Sequence, residues 1–302
     1  LDFGVLLMSF TRKIIAITFT LAQGTFDGTS SNALNVSGLR CRFRLEQQGG
    51  VSGDKMSLDI YGLTKSQANQ LSTYGAPPLT VGGNQITVSA GDNETGLTKI
   101  FDGVIQQANA DFSGMPDVCL RLRAFSNYFA SVRPSAPLSF SGVTPVATIM
   151  AQLAAAFKPV ALTLENAGVE GNLIGQYLCG SAWDQIKTVA RAAGINAYAD
   201  TVRGVLAIFP KTGSRAGTPI LISPSNGLVG YPTFGTYQLN FRTLFNPGLV
   251  YARAVTIQSS LPNASQTVTP WVIKTSLDTE ISNGLWFQDV ISFSNNRLYA
   301  NQ

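Results

Sequence analysis

Gly38-Leu39-Arg40-Cys41-Arg42-Phe43-Arg44-Leu45-Glu46-Gln47 alternates arginines with apolar side chains. A period of two belongs to a β-strand with one face in a core, so Arg40, Arg42 and Arg44 share one face and Cys41, Phe43 and Leu45 the other. Val118–Ala124 repeats the pattern with Arg121 and Arg123 on its polar face. Working outward, Ile14–Leu21, Lys55–Tyr61, Gln85–Ala90 and Thr98–Gln107 are further short apolar runs bounded by Gly, Asn and Asp, and they read as strands. One helix is expected among them, over Thr64–Tyr74. Thr64 is its N-cap, Ala68 and Leu71 face inward, and Gly75 followed by Pro77-Pro78 ends it. Strands in this number around one helix predict a barrel or a sandwich over residues 8–137.

Beyond Ser139 the periodicity turns helical. Thr144-Pro145 offers an N-cap and a first-turn proline, and Val146, Ile149, Leu153 and Phe157 recur at helical spacing until Pro159. A second helix opens at Ser181, with Asp184 at the capping-box position and Trp183, Ile186, Val189 and Ala193 as its apolar stripe. Gly194 closes it. Ile195–Asp200 and Val205–Phe209 flank the turn Thr201-Val202-Arg203-Gly204 and predict a hairpin. Residues 138–215 therefore read as a small helix-plus-hairpin α+β unit. Strand signals return in 216–302, at Ile220–Ser223, Thr236–Leu244, Leu249–Ser259, Val268–Thr275 and Leu285–Phe293. The turns between them are marked by Asn246-Pro247-Gly248, Leu261-Pro262-Asn263 and Ser282-Asn283-Gly284. No sequence repeat links this segment to the first. Residues 1–7 precede Met8 and read as an extension ahead of the natural start.

Composition narrows the function. A chain of 302 residues, 45% hydrophobic and 13% charged, can hold itself together by packing alone. Its 21 Lys and Arg stand against 17 Asp and Glu with no basic domain or tail, which argues against specific nucleic-acid recognition. Histidine is absent, and with it the Ser-His-Asp and Cys-His nucleophile systems and the His-ligated zinc sites. Cys41, Cys119 and Cys179 lie far apart in apolar surroundings and read as buried thiols. No apolar run approaches the length of a membrane span.

The candidate chemistry is thin. Ser52-Gly53-Asp54-Lys55 has the spacing of a Ser/Lys acyl-transfer pair, but it lies in a glycine-rich hairpin loop and not at a helix start. Glu165 and Glu170 are the nearest approach to the paired acids of a glycosidase. They fall in Leu164–Gly171, which reads as a solvated connection. Asp92, Asp102 and Asp111 adjoin glycine-rich turns and read as Asx-turn formers. No cofactor or metal is expected. The arginine rows admit two readings, a solvated strand face or a line of cations meeting an acidic partner surface or a passing polyanion. Three like charges at about 7 Å intervals repel, and a partner would relieve that cost. Trp183, Trp271, Trp286 and the Phe241–Phe245 pair read as core or subunit interface; Trp271, Trp286, Phe287 and Phe241 are the aromatics available to an interface.

Several stretches in series carry a family likeness. They are Gly38-Leu39-Arg40, Leu58-Asp59-Ile60-Tyr61-Gly62-Leu63-Thr64, Val88-Ser89-Ala90-Gly91-Asp92, Ile100-Phe101-Asp102-Gly103 with Ile105, and Met115-Pro116-Asp117-Val118. Gly180-Ser181, Ala192-Ala193-Gly194-Ile195, Leu206-Ala207-Ile208-Phe209-Pro210, Gly227-Leu228-Val229-Gly230-Tyr231-Pro232 and Arg242-Thr243-Leu244-Phe245-Asn246-Pro247 follow in order. From Met8 to Phe293 the chain resembles the baseplate hub proteins of tailed bacteriophages. That group includes the late-control D hub of contractile tails and the first part of secretion-system spike proteins. The resemblance implies a β-rich α+β fold, with two tube-like β-barrel units and the small α+β unit between them. It further implies a homotrimer whose six barrels meet a six-fold tail tube above and a three-fold central spike below, around a genome channel. Its partners would be its own copies, the tail tube or tube-initiator protein, the central spike protein and the tape-measure protein. Genomic DNA would be met only in transit, with no stable membrane association. The implied location is the virion tail baseplate, assembled in the host cytoplasm. Nothing after Phe293 resembles a fused lysozyme or needle domain. The competing expectations are a cell-wall glycosidase of the tail tip and a peripheral receptor-binding β protein.

Overall fold

The computed structural model describes residues 11–28, 30–49, 53–73, 83–158, 160–235 and 238–294. The expected start at Met8, Ser52, the helix stops at Gly75, Pro77-Pro78 and Pro159, and the strand start at Thr236 lie outside them.

The arginine-bearing strand is β3 (Cys41–Gln47), and its alternation does what the pattern requires: Cys41, Phe43 and Leu45 are buried. Its neighbour β4 (Lys55–Tyr61) sets Leu58 opposite Phe43, and β7 (Cys119–Phe125) sets Leu122 opposite Leu58, so one layer of side chains crosses three strands. Ile15, Ile17 and Phe19 from β1 (Lys13–Thr20), Ile86 and Val88 from β5 (Gln85–Asp92), and Phe101 and Ile105 from β6 (Gly96–Asp111) enter the same core. β2 (Ala33–Ser37) pairs with β1, and α1 (Lys65–Leu71) covers the core with Ala68 and Leu71. Thr64 and Gln67 form a reciprocal capping box at the start of α1.

β6 is longer than its apolar run suggested because it serves two partners, β5 along Gly96–Val104 and β7 along Val104–Asp111. A bulge between Ile105 and Gln107 lets it bend from one to the other. Gly103 sits at the bend, where an added Cβ would lie 2.6 Å from the Phe125 carbonyl oxygen.

The helical segment contains α2 (Tyr128–Val132), α3 (Val146–Ala155) and α4 (Ala182–Ala193). Val146, Ile149, Leu153 and Phe157 pack against Trp183, Ile186 and Val189 in a second core. α3 starts one residue later than expected. Pro145 occupies the N-cap place and Thr144 ends a strand, β8 (Leu138–Pro145), which pairs with β10 (Asn172–Leu178). Ser181 caps α4 by accepting from the Asp184 N–H, and Gly194 ends it in the left-handed conformation, φ 66°. The hairpin is present as β11 (Ile195–Asp200) and β12 (Val205–Pro210), and a third strand, β9 (Thr163–Asn166), adds in parallel to β12. β9 replaces the solvated connection expected around Glu165. Cys179 is exposed, contrary to expectation, whereas Cys41 and Cys119 are buried. Leu178 takes the inward place at the end of β10, so the next side chain faces out.

The last segment comprises β13 (Arg215–Ile222), β14 (Leu228–Gly235), β15 (Gln238–Leu244), β16 (Arg253–Ile257), β17 (Gln266–Thr279) and β18 (Trp286–Ser294), around a third core that includes Ile222, Leu239, Val255, Ile273 and Val290. Leu249–Ser259 is not one strand. Its first residues turn, with Ala252 at φ 59° donating its N–H to the Pro270 carbonyl, and β16 begins after them.

β3 pairs antiparallel with β17, Phe43 opposite Leu277 and Leu45 opposite Thr275. This seam joins the first and last β-rich parts into a single 13-stranded sheet ordered β14-β15-β18-β17-β3-β4-β7-β6-β5-β1-β2, with β13 and β16 attached beside β17. The fold is a β-rich α+β fold. No helix among the described residues is long and apolar enough to cross a membrane.

Candidate interface surface

The side chains opposite the cores form a continuous charged face across the seam. Register places Asp278, Arg42, Asp59, Arg121 and Asn109 in one row over β17, β3, β4, β7 and β6. Ser276, Arg44, Ser57, Arg123 and Gln107 form the next row. The arginines therefore do face together, as the alternation implied, but the row is not left unneutralised. Arg44 reaches Asp278 at 2.6 Å, Arg40 reaches Asp117 at 3.0 Å, and Arg121 reaches Asp111 at 3.0 Å with Asp59 at 4.0 Å. Asp278, Asp117 and Asp59 lie more than sixty residues from their arginines, and Asp111 reaches Arg121 from the neighbouring strand, so the alternation within one strand could not show them. Arg40 also stacks its guanidinium 3.8 Å above the Tyr61 ring. Arg42 and Arg123 make no ion pair among the described residues, and both are exposed. Each borders an open depression, of about 450 Å³ beside Arg42 and about 420 Å³ beside Arg123. Across the seam the face continues through the Arg242–Asp289 pair at 2.6 Å.

The aromatics divide. Phe241 is buried in the third core, 5% exposed, and its ring is not available to a partner. Trp271 packs on Phe209, Tyr251 and Phe293. Trp286 meets Phe245 edge-on against the first core, and Phe287 lies half-buried under the Arg242 guanidinium.

The catalytic candidates are placed unfavourably for chemistry. Lys55 opens a strand and not the second turn of a helix. Glu165 accepts two hydrogen bonds from Arg215, at 3.0 and 2.8 Å, while Glu170 is exposed on a loop. Asp92 and Asp111 close Asx turns by accepting from Glu94, Thr95 and Ser113. The Thr95 and Ser113 hydrogen bonds hold the two carboxyls below the usual range. Asp102 lies instead within β6 and pairs with Lys99 at 3.2 Å. Burial pushes the Cys41 thiol up to about 12, which leaves it inert. Among the described residues no group of three His, Cys, Asp or Glu side chains converges on a metal position.

Spacing gave no sign of a buried charge cluster in which Arg215, from β13, joins Glu165 of β9 to Asp200 of β11. The three residues are far apart in sequence and share no motif.

An array of paired and unpaired charges on a broad sheet face, with no activated nucleophile or paired-acid cleft among the described residues, is suited to contact with another macromolecule. The sequence profile of the baseplate hub gp41 family matches residues 14–283. The chain belongs to this baseplate hub family. Membership makes it a structural protein of the phage tail baseplate. No curated protein matches the chain. Among solved structures, a tail protein from Neisseria meningitidis MC58 is similar with a TM-score of 0.61 at 10% identity, over 93% of this chain and 96% of that one. The 43 kDa tail protein of prophage MuSo2 from Shewanella oneidensis gives 0.57 at 11% identity, over 93% and 98%. A chain of the lidless PdpA–VgrG complex gives 0.54 at 7% identity, over 97% of this chain and 66% of that one. At these identities the hub chain shares their fold.

Proposed function

We propose that this baseplate hub protein works as a homotrimeric ring that adapts the six-fold tail tube to the three-fold central spike around the genome channel. Each subunit would contribute two tube-like β units, residues 8–137 and 216–302, with the α+β unit of 138–215 beside them. The observation that carries the reading is the β3–β17 seam, which sets two β-rich parts of one chain side by side in one sheet. Three such chains supply six β units. Heterologous contacts that close after three rotations then make a ring.

The charged face over the seam is the surface proposed to meet a partner or line the channel, through Arg40, Arg42, Arg44, Arg121 and Arg123. Trp271, Trp286 and Phe287 supply partly buried aromatic area nearby, and Phe241 drops out. The partners are further copies of the chain, the tail tube or its initiator, the spike and the tape-measure protein, with DNA passing through. The role requires no catalysis, and the engagement of Glu165 by Arg215 removes the nearest candidate acid. Reconstruction of the assembled tail tests the proposal: three copies around the central channel are expected, and six per ring, or density outside the channel, refutes it.

A further inference from the structure

Asp54 stands just before β4, where the first β part meets the α+β part, and is 5% exposed. Its main chain is pinned, the N–H donating to the Ser126 hydroxyl at 2.8 Å and the carbonyl accepting from the Ser126 N–H at 3.1 Å. The Tyr198 hydroxyl from β11 lies 2.8 and 2.7 Å from its two carboxyl oxygens, and Gln47 Nε2 from β3 donates at 3.0 Å. Among the described residues every donor reaching this carboxyl is neutral. The other acids of the junction differ: half-buried Glu165 and buried Asp200 each receive a guanidinium.

The charged and titratable groups around Asp54 are few. β11 supplies Tyr198 and Asp200, β13 supplies Arg215, and the turn before β16 supplies Tyr251, stacked on Tyr198 at 4.4 Å. Arg215 is already committed to Glu165 and Asp200. The segment after β7 offers only Ser126 and Asn127, both uncharged. A buried carboxylate without a counter-ion favours its neutral form. Burial pushes Asp54 up to about 7 against the hydrogen bonds from Gln47 and Tyr198, with the charge on Asp200 adding to the rise and Arg215 opposing it. Burial likewise pushes Tyr198 well above its ordinary value, so its hydroxyl keeps its proton.

We propose that Asp54 is a proton-dependent latch: its neutral carboxyl joins the first β part to the α+β part through Tyr198, and loss of the proton loosens that junction. The carboxyl is raised above its ordinary 3.8, so the closed junction holds a proton that an opened or unfolded chain releases. Its stabilising contribution is complete below about pH 4 and is lost as pH rises through about 7. Within that window the equilibrium constant for closure falls about tenfold per pH unit. The chain has no histidine to mask the effect.

The test is hydrogen exchange by mass spectrometry on the full chain from pH 5 to 8, corrected for intrinsic base catalysis and read over Lys55–Tyr61 and Ile195–Asp200. Wild-type protection should fall about tenfold per pH unit between 5 and 7, and Asp54→Asn should flatten the profile. Tyr198→Phe removes a donor to the ionised carboxylate and should carry the fall to higher pH, so that protection keeps dropping between pH 7 and 8 where the wild type levels off. A flat wild-type profile overturns the proposal, as does an Asp54→Asn profile with the wild-type slope. If Asp54→Asn does not fold, an unchanged profile in Tyr198→Phe overturns it.

Discussion

Replacing Arg215 by methionine isolates the charge that ties β9 and β11 of the α+β part to β13. The side chain is fully buried and donates to Glu165 Oε1 at 3.0 Å, Glu165 Oε2 at 2.8 Å and Asp200 Oδ2 at 3.0 Å. Methionine keeps most of the aliphatic volume, so the change removes charge with little cavity. Removing one partner of a buried ion pair costs about 3–5 kcal/mol, mostly because the other is left uncompensated. Here both acids retain a weaker cation, Arg203 at 3.3 Å from Asp200 and Arg253 at 3.9 Å from Glu165. That places the expected loss at the lower end, about 3 kcal/mol. A chain of 302 residues should then melt roughly 5 °C lower. Glu165→Gln should cost less, because Arg215 keeps Asp200. Urea unfolding followed by tryptophan fluorescence suits the measurement, since Trp183 lies in the second core and Trp271 packs against the third. An Arg215→Met protein within about 0.5 kcal/mol of wild type, the range of ordinary surface changes, would falsify the assignment of this cluster as the tie.

Two further outcomes concern the surface and the absent chemistry. Arg42→Glu should impair tail assembly, scored by counting complete tails, more than Lys158→Glu, because it sets a third negative charge between Asp59 and Asp278; equal and negligible effects would favour a purely solvated face. Purified protein should leave a peptidoglycan suspension turbid, and clearing that disappears on Glu165→Ala or Glu170→Ala would refute the non-enzymatic reading.

What was legible in the sequence is what local chemistry fixes. Lys55–Tyr61 and Ile195–Asp200 have the expected bounds because a period of two and a short turn identify a half-buried strand without its partners. Thr64 gave the start of α1 for the same reason. The errors fall where a partner decides. β9 is a strand only because β12 offers it an edge, and four residues of Thr-Leu-Glu-Asn carry no period. Leu249–Ser259 is apolar enough for a strand, but Ala252 is turned so that its N–H meets Pro270. The arginine face was legible, and its neutralisation was not, since Asp278 lies 234 residues from Arg44. Asp54 reads locally as part of a turn, and nothing in Ser52-Gly53-Asp54-Lys55 announces Tyr198 of β11.

The seam also determines which parts of the subunit can move. β17 has Leu277 in the first core and Val268 and Ile273 in the third, so one strand of 14 residues is a structural member of both. Swinging one β part against the other would strip its hydrogen bonds to β3 and expose both cores at once. The α+β part packs into the third core through Tyr198 and Phe209 and is further held by the Arg215 cluster, the Asp54–Tyr198 contact and its two chain crossings, from β7 through α2 into β8 and from β12 into β13. Polar contacts of that kind respond to protonation and charge, whereas the seam adds to its own ion pairs, Arg44–Asp278 and Lys274–Glu46, a strand ladder and two shared apolar cores that do not. A ring that offers six β units from three chains needs the angle between the two units of each chain to be fixed before assembly. In the proposed ring the shared strand β17 meets that need.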